Sequence, residues 1–200
     1  MKTKPILFSA PMVRALLDGS KTQTRRAYKT KNGGVWPNTN DLPGMRQILR
    51  NCPYGQPGDQ LWVREAWLKT NPWSEGGLHT YGYRASDAAE FPDAIWKPSI
   101  HMPRALSRIT LEITGVRVER RQDISEADCI AEGIMLGRDG MWCGAPHKVK
   151  GTPRAFHTAV GAYDDLWTSI NGADSWASNP WVWVVIFKRI EADQGIGSQS

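Results

Sequence analysis

The strongest periodic signal lies near the C-terminus, where Phe156, Val160, Tyr163, Trp167 and Ile170 recur at spacings of three and four. That pattern predicts an amphipathic helix, which Gly172 ends. NPWVWVVIFKRI, residues 179 to 190, is apolar on both faces and rich in β-branched and aromatic residues, as a strand buried within a barrel requires. Ile109, Leu111 and Ile113 alternate with Arg108, Thr110 and Glu112, and Val116 and Val118 continue after Gly115, which predicts a half-buried strand. PGDQLWVREAW reads as a turn followed by a strand, with Leu61 and Val63 on one face and Trp62 and Arg64 on the other.

Two shorter helices have clear ends. Ser9 can cap one whose first turn holds Pro11, with Met12, Val13, Leu16 and Leu17 on one face and Gly19 as the stop. Ser125 opens the other, with Asp128 at the reciprocal capping position and Gly133 near its end. Residues 27–57, 68–104 and 135–154 show no sustained period and are rich in Gly, Pro and Asn, so they are expected to be insertions outside the barrel. Residues 191–200 read as a flexible tail. The expected fold is α+β: one domain over 1–190, a small mixed β-barrel with packed helices and long irregular insertions.

Composition narrows the class without choosing a function. Two hundred residues, 40% hydrophobic and 22% charged, suit one globular domain. No run approaches the length needed to cross a bilayer, and the apolar part of MKTKPILFSAP is too short for a leader and has no small-residue cleavage site. The expected location is therefore cytoplasmic, which agrees with three widely spaced cysteines, Cys52, Cys129 and Cys143, that cannot make a disulfide framework. A net charge of +5 is compatible with a phosphate-bearing partner. Ten tryptophans exceed the five tyrosines and four phenylalanines; most must pack in the interior, and one or two could stack on a base.

The candidate chemistry starts in GSKTQTRR, residues 19 to 26. A threonine hydroxyl is a poor nucleophile until a base removes its proton, and a neutral lysine amine can be that base. Lysine's free pKa near ~10.4 leaves under ~0.1% neutral at pH 7, so a shift to about 8 is needed, which costs roughly 3 kcal/mol. Burial and the neighbouring Arg25 and Arg26 push that way. In a regular strand Lys21 and Thr24 face opposite sides, so they converge only if Lys21 still belongs to the turn after Gly19. The alternative is a basic turn with its side chains in water.

Glu126 and Glu132, six apart on the short helix, cannot share a face. Glu126 sits in the first turn, where a carboxylate offsets the helix dipole; Glu132 sits beside Gly133 at the disfavoured end, which suggests another role. Arg64 and Glu65 read either as an exposed ion pair or as pocket lining, with Arg64 contacting a phosphate or base edge. Cys143 and His147 have a loose metal-ligand spacing without a second pair, and His79, His101 and His157 stand alone, so no metal is expected. The chain has no phosphate-cradling glycine loop, no GxSxG and no HExxH.

Taken in order, GSKTQTRR at 19 to 26, PGDQLWVRE at 57 to 65, ITLEITGVRVERRQDISEADCIAEGI at 109 to 134 and WVWVVIFKRI at 181 to 190 resemble the ASCH domain, a PUA-like β-barrel family. The wording is similar to that of ASCH proteins encoded by phages and prophages, which keep long insertions between these stations. In the small bacterial members that hydrolyse N(4)-acetylcytidine, a lysine and a threonine of the first motif and a glutamate of the helix after the central strands form the catalytic set. Carried over, the resemblance implies Lys21, Thr24 and Glu132 as catalytic residues. It implies Arg25, Arg26, Arg64 and Glu65, with Trp62 or Trp67 as a stacking wall, as substrate-binding residues. The implied partner is a modified nucleoside or single-stranded nucleic acid, with no cofactor, no metal, no membrane and no obligate protein partner. Two rivals from the wider family remain open: an RNA- or DNA-binding module without catalysis, and a single-strand ribonuclease.

Overall fold

A computed structural model describes residues 1–28, 42–70, 81–144 and 154–190, with the backbone alone over 42–45. In chain order the elements are β1 (Thr3–Leu7), α1 (Ala10–Leu17), β2 (Gln23–Ala27), α2 (Leu42–Arg50), β3 (Gln60–Arg64), β4 (Trp67–Lys69) and β5 (Tyr81–Tyr83). They continue with α3 (Arg84–Asp87), β6 (Thr110–Arg120), α4 (Glu126–Ala131), β7 (Met135–Leu136), β8 (Trp142–Cys143), α5 (Ala159–Asn171) and β9 (Trp181–Ile190). The fold is α+β, built on a mixed five-stranded sheet of order β1-β3-β6-β9-β2. Only β1 and β3 run parallel; the other neighbours are antiparallel.

The last strand lies near the middle of the sheet and is buried on both faces, which explains its unbroken apolar run. Trp183, Val185 and Phe187 join Ile6, Leu61, Val63, Leu111 and Ile113 in one core, closed by Val13 and Leu16 of α1. Val182 and Val184 face the other way, onto Ala162, Tyr163, Leu166 and Trp167 of α5 and Cys129 of α4. Each fully buried aliphatic or aromatic side chain contributes roughly 1.5–3 kcal/mol, so this two-sided packing fixes the registers around β9. Gly115 marks a register shift between β6 and β9, and a Cβ there would stand 3.3 Å from the Ile186 side chain.

Strand β2 runs one residue into the segment 27–57, ending at Ala27; apart from that, none of the five main strands falls within 27–57, 68–104 or 135–154. Those segments nevertheless hold structure. Within the first, α2 places Ile48 and Leu49 against the core, a pattern that Pro43 and Gly44 hide in the sequence. The second holds β5, which pairs with β4, and the short α3; the third holds β7 and β8. The tail expected at 191–200 lies outside the described residues.

The first strand carries no readable pattern, because Ile6 alone is buried along it and Pro5 interrupts its donors, which an edge strand tolerates. Among the described residues β1 and β2, the two ends of the sheet, form no ladder with each other, so the expected barrel is here a sheet whose margins meet at a seam. Arg26 bridges that seam, donating from Nη2 to the Leu7 carbonyl at 2.6 Å.

Candidate active site at the edge of the sheet

Gly19, at φ +81°, ends α1 in the left-handed region, and the Lys21 N–H then donates to the Ala15 carbonyl at 2.9 Å. Lys21 therefore precedes β2 and escapes the alternation that separates residues 21 and 24 within a strand. The loop is tied to the end of α4 twice more: the Thr22 N–H donates to Ala131 O at 2.9 Å, and Gln23 Nε2 to Asp128 O at 2.8 Å.

On the other side, Ser125 caps α4 through the Asp128 N–H, and Glu132 is the C-terminal cap. Gly133 follows at φ +96°, and a Cβ there would lie 3.3 Å from Ala15 Cβ and 3.7 Å from Lys21 Cβ. The glycine lets the helix end lie against the lysine. Lys21 Nζ donates to Glu132 Oε2 at 2.6 Å and to the Glu132 carbonyl at 2.8 Å, with side-chain exposures of 0% for Lys21 and 4% for Glu132. Burial is the largest influence on Lys21 and pushes its pKa down; the Glu132 carboxylate pushes up, Arg26 and Arg25 push down again, and the result lies below the usual value.

Arg25 extends the network. Its Nη2 donates to Glu119 Oε1 and lies 3.1 Å from Asp128 Oδ2, while its Nη1 is 3.7 Å from Glu132 Oε1. Arg117 joins the same two acids, reaching Glu119 at 2.9 Å and Asp128 at 2.7 Å. Lys21, Arg25 and Arg117 thus balance Glu132, Glu119 and Asp128. Burial raises the Asp128 carboxyl, but hydrogen bonds from Arg117 and Ser125 and the Arg25 charge outweigh it and hold the pKa at about 2. Burial also pushes the Tyr163 phenol well above its usual value.

A small cavity of about 70 Å³, partly open to solvent, is lined in part by the edge strand β2. Its walls include Thr24, Arg25 and Arg26 of β2, Glu132 of α4, and Tyr163 and Trp167 of α5. Five buried polar atoms of these walls have no hydrogen-bond partner: Arg25 Nε, Arg25 Nη1, Arg26 Nε, Glu132 Oε1 and Trp167 Nε1. An unsatisfied buried polar group costs about 1–3 kcal/mol; others lie away from the cavity, at Arg64, Trp67 and Arg121.

The structure thus brings Thr24, Arg25, Arg26 and Glu132 to one cavity; Lys21 is bonded to Glu132 but does not itself border the cavity. The remaining sequence candidates lie elsewhere, around the end of β3. Arg64 donates to the Ile100 carbonyl and stacks 5.3 Å from the Trp62 ring centroid. Glu65 is buried and takes two hydrogen bonds from Arg108, at 2.9 and 3.1 Å. Trp67 is buried beside Tyr81 and Lys97. None of these four borders the cavity.

Sequence reasoning did not single out Arg117, Glu119, Tyr163 or Trp167 as site residues. Arg117 and Glu119 alternate with valines along β6 and read as a solvated strand face; Tyr163 and Trp167 read as core positions of α5, which they also are. Among the described residues no cluster of His, Cys, Asp and Glu is arranged to hold a metal ion, and no helix is long and apolar enough to cross a membrane.

No protein-family profile and no curated protein matches the chain. Two solved structures are similar to it. The crystal structure of hypothetical protein PH0355 is 12% identical, with a TM-score of 0.40 over 95% of this chain and 100% of that one. The ASCH domain from Lactobacillus crispatus JV V101 is 12% identical, with a TM-score of 0.42 over 94% of this chain and 79% of that one.

Proposed function

We propose that this chain is an ASCH-type amidohydrolase that removes an acyl group from an N(4)-acylated cytidine or a related modified nucleoside. Thr24 is the nucleophile, Lys21 its base, and Glu132 either orients the lysine or helps to pass the proton taken by Lys21 to the departing amine. The observation that carries the reading is the 2.6 Å bond between Lys21 Nζ and Glu132 Oε2, 111 residues apart in sequence, beside a cavity that Thr24 and Glu132 both line. These are the three positions that the sequence resemblance singles out.

The chemistry needs a lysine that can lose its proton, and burial with two nearby arginines supplies that bias. Thr24 Oγ1 bonds the acyl carbon while its proton passes to Lys21 Nζ and the carbonyl π pair moves onto oxygen. Collapse of that adduct breaks the C–N bond, and the amine leaves with a proton. Water then cleaves the acyl-threonine ester, releasing a carboxylate and restoring the hydroxyl. Arg26 remains a candidate for holding the sugar or a phosphate at the rim.

The test is incubation of the purified protein with a panel of N(4)-acyl cytidines and a single-stranded RNA, with products read by mass. Free cytidine and the matching acid are the expected products. Cleaved RNA with every acyl cytidine intact would instead select the ribonuclease, and binding without any product the non-catalytic module.

A further inference from the structure

We infer that Arg25 holds the acyl oxygen as negative charge develops on it, an assignment that rests on the amidohydrolase reading above. The cations of the site differ in what they have left to give. Lys21 is occupied by the Glu132 side chain and carbonyl. Arg26 directs Nη2 to the Leu7 carbonyl across the seam, and its buried Nε has no hydrogen-bond partner. The Arg25 side chain is fully buried and anchored through Nη2 by Glu119 and Asp128, yet Nε and Nη1 have no hydrogen-bond partner, Nη1 facing Glu132 Oε1 only at 3.7 Å. The guanidinium is thus fixed at Nη2, while the hydrogens of Nε and Nη1 are not taken by a hydrogen bond.

Position supports the assignment. Thr24 and Arg25 leave β2 on opposite faces, as successive strand residues must. Because β2 is the last strand of the sheet, the cavity follows its outer side and touches both residues. Nη1 and Glu132 Oε1 stand 3.7 Å apart, too far to bond each other, and both are unpartnered. An amide lying alongside the pair can offer its oxygen to the guanidinium and its N–H to the carboxylate. When Thr24 Oγ1 bonds the acyl carbon, the π pair of the carbonyl moves to oxygen, and donors already in place there act mainly on the transition state. Arg25 stays protonated at any working pH, so it takes no part in the proton transfers and supplies charge and hydrogen bonds alone. Trp167 Nε1 is a neutral donor in the same unpartnered state and serves as the comparison.

The experiment is steady-state hydrolysis of N(4)-acetylcytidine by wild type, Arg25→Ala, Arg25→Lys and Trp167→Phe, with folding checked by circular dichroism and melting. Arg25→Ala is expected to lose about 10²–10³ in kcat with KM within about threefold, to recover part of that loss in added methylguanidinium, and Arg25→Lys to fall between. Arg25→Lys keeps a cation against Glu119 and Asp128 and serves if Arg25→Ala does not fold. The assignment is overturned if the loss falls on KM with kcat unchanged, if folded Arg25→Lys keeps the wild-type kcat, or if Trp167→Phe costs more kcat than Arg25→Ala. Wild-type protein that hydrolyses no acylated cytidine removes the amidohydrolase reading first, and this assignment with it.

Discussion

Removing the Lys21 ammonium leaves Glu132 as a buried carboxylate without its shortest partner, and the cost can be worked from the geometry. The pair is 2.6 Å apart with both side chains almost wholly buried, the situation in which losing one partner costs about 3–5 kcal/mol. Arg25 Nη1, 3.7 Å from the other carboxylate oxygen, can close on it and recover part of that, so Lys21→Met is expected to cost about 2–4 kcal/mol. Glu132→Leu leaves the ammonium with the Glu132 carbonyl at 2.8 Å and the option of losing its proton, for about 1–3 kcal/mol. The double variant removes both charges together and should be destabilised less than the sum, by a coupling of about 2 kcal/mol. Urea denaturation at pH 7 with a common slope measures all three; for a chain of this size 1 kcal/mol corresponds to roughly 2–4 °C in melting temperature. Single costs that add to within about 0.5 kcal/mol would refute the claim that these two charges hold each other.

If Lys21 is the base, the hydrolysis rate should rise with pH through a midpoint below 10.5, since only the neutral amine accepts the proton and burial lowers its pKa. Lys21→Arg should abolish turnover, Thr24→Ser keep part of it and Thr24→Ala lose nearly all; a flat pH-rate profile or fully active Lys21→Arg protein would sink the lysine's role. For Asp128 the folded pKa is depressed to about 2 from 3.8, so its stabilisation is complete above about pH 4 and is lost as pH falls towards 2. The loss is about 2 kcal/mol at most, and less after screening because the side chain is 21% exposed; Asp128→Asn should flatten acid-denaturation curves in that window. Gly133→Ala must place a side chain at φ +96° and 3.3 Å from Ala15 Cβ, so a cost of about 1–2 kcal/mol and a drop in activity are expected by melting and rate assay.

What the sequence could show depended on how each element is stabilised. Strands β3, β6 and β9 and helices α1, α4 and α5 bury a periodic face or carry a side-chain cap, and both marks are visible along the chain. Strand β1 is held by one buried side chain and by its parallel ladder to β3, and a ladder leaves no trace in residue type. Lys21, Thr24 and Glu132 were singled out by resemblance and by the oddity of a carboxylate at a helix C-terminus, and that oddity now has a physical reason: the ammonium bonded to Glu132 supplies the compensation that the helix end denies it.

Trp62, Arg64, Glu65 and Trp67 show why spacing could not define the cavity. They adjoin a glycine-aspartate turn as the first motif adjoins Gly19, but they stand at the end of β3, across the sheet order from β2. The cavity is instead completed by Tyr163 and Trp167, whose helix packs on Val182 and Val184 of β9, the strand next to β2. A residue that lines the cavity while serving the core has no composition or period of its own. Trp67 and Trp167 both leave Nε1 without a hydrogen-bond partner, and only Trp167 borders the cavity, a difference that appears only once α5 has been laid against the sheet.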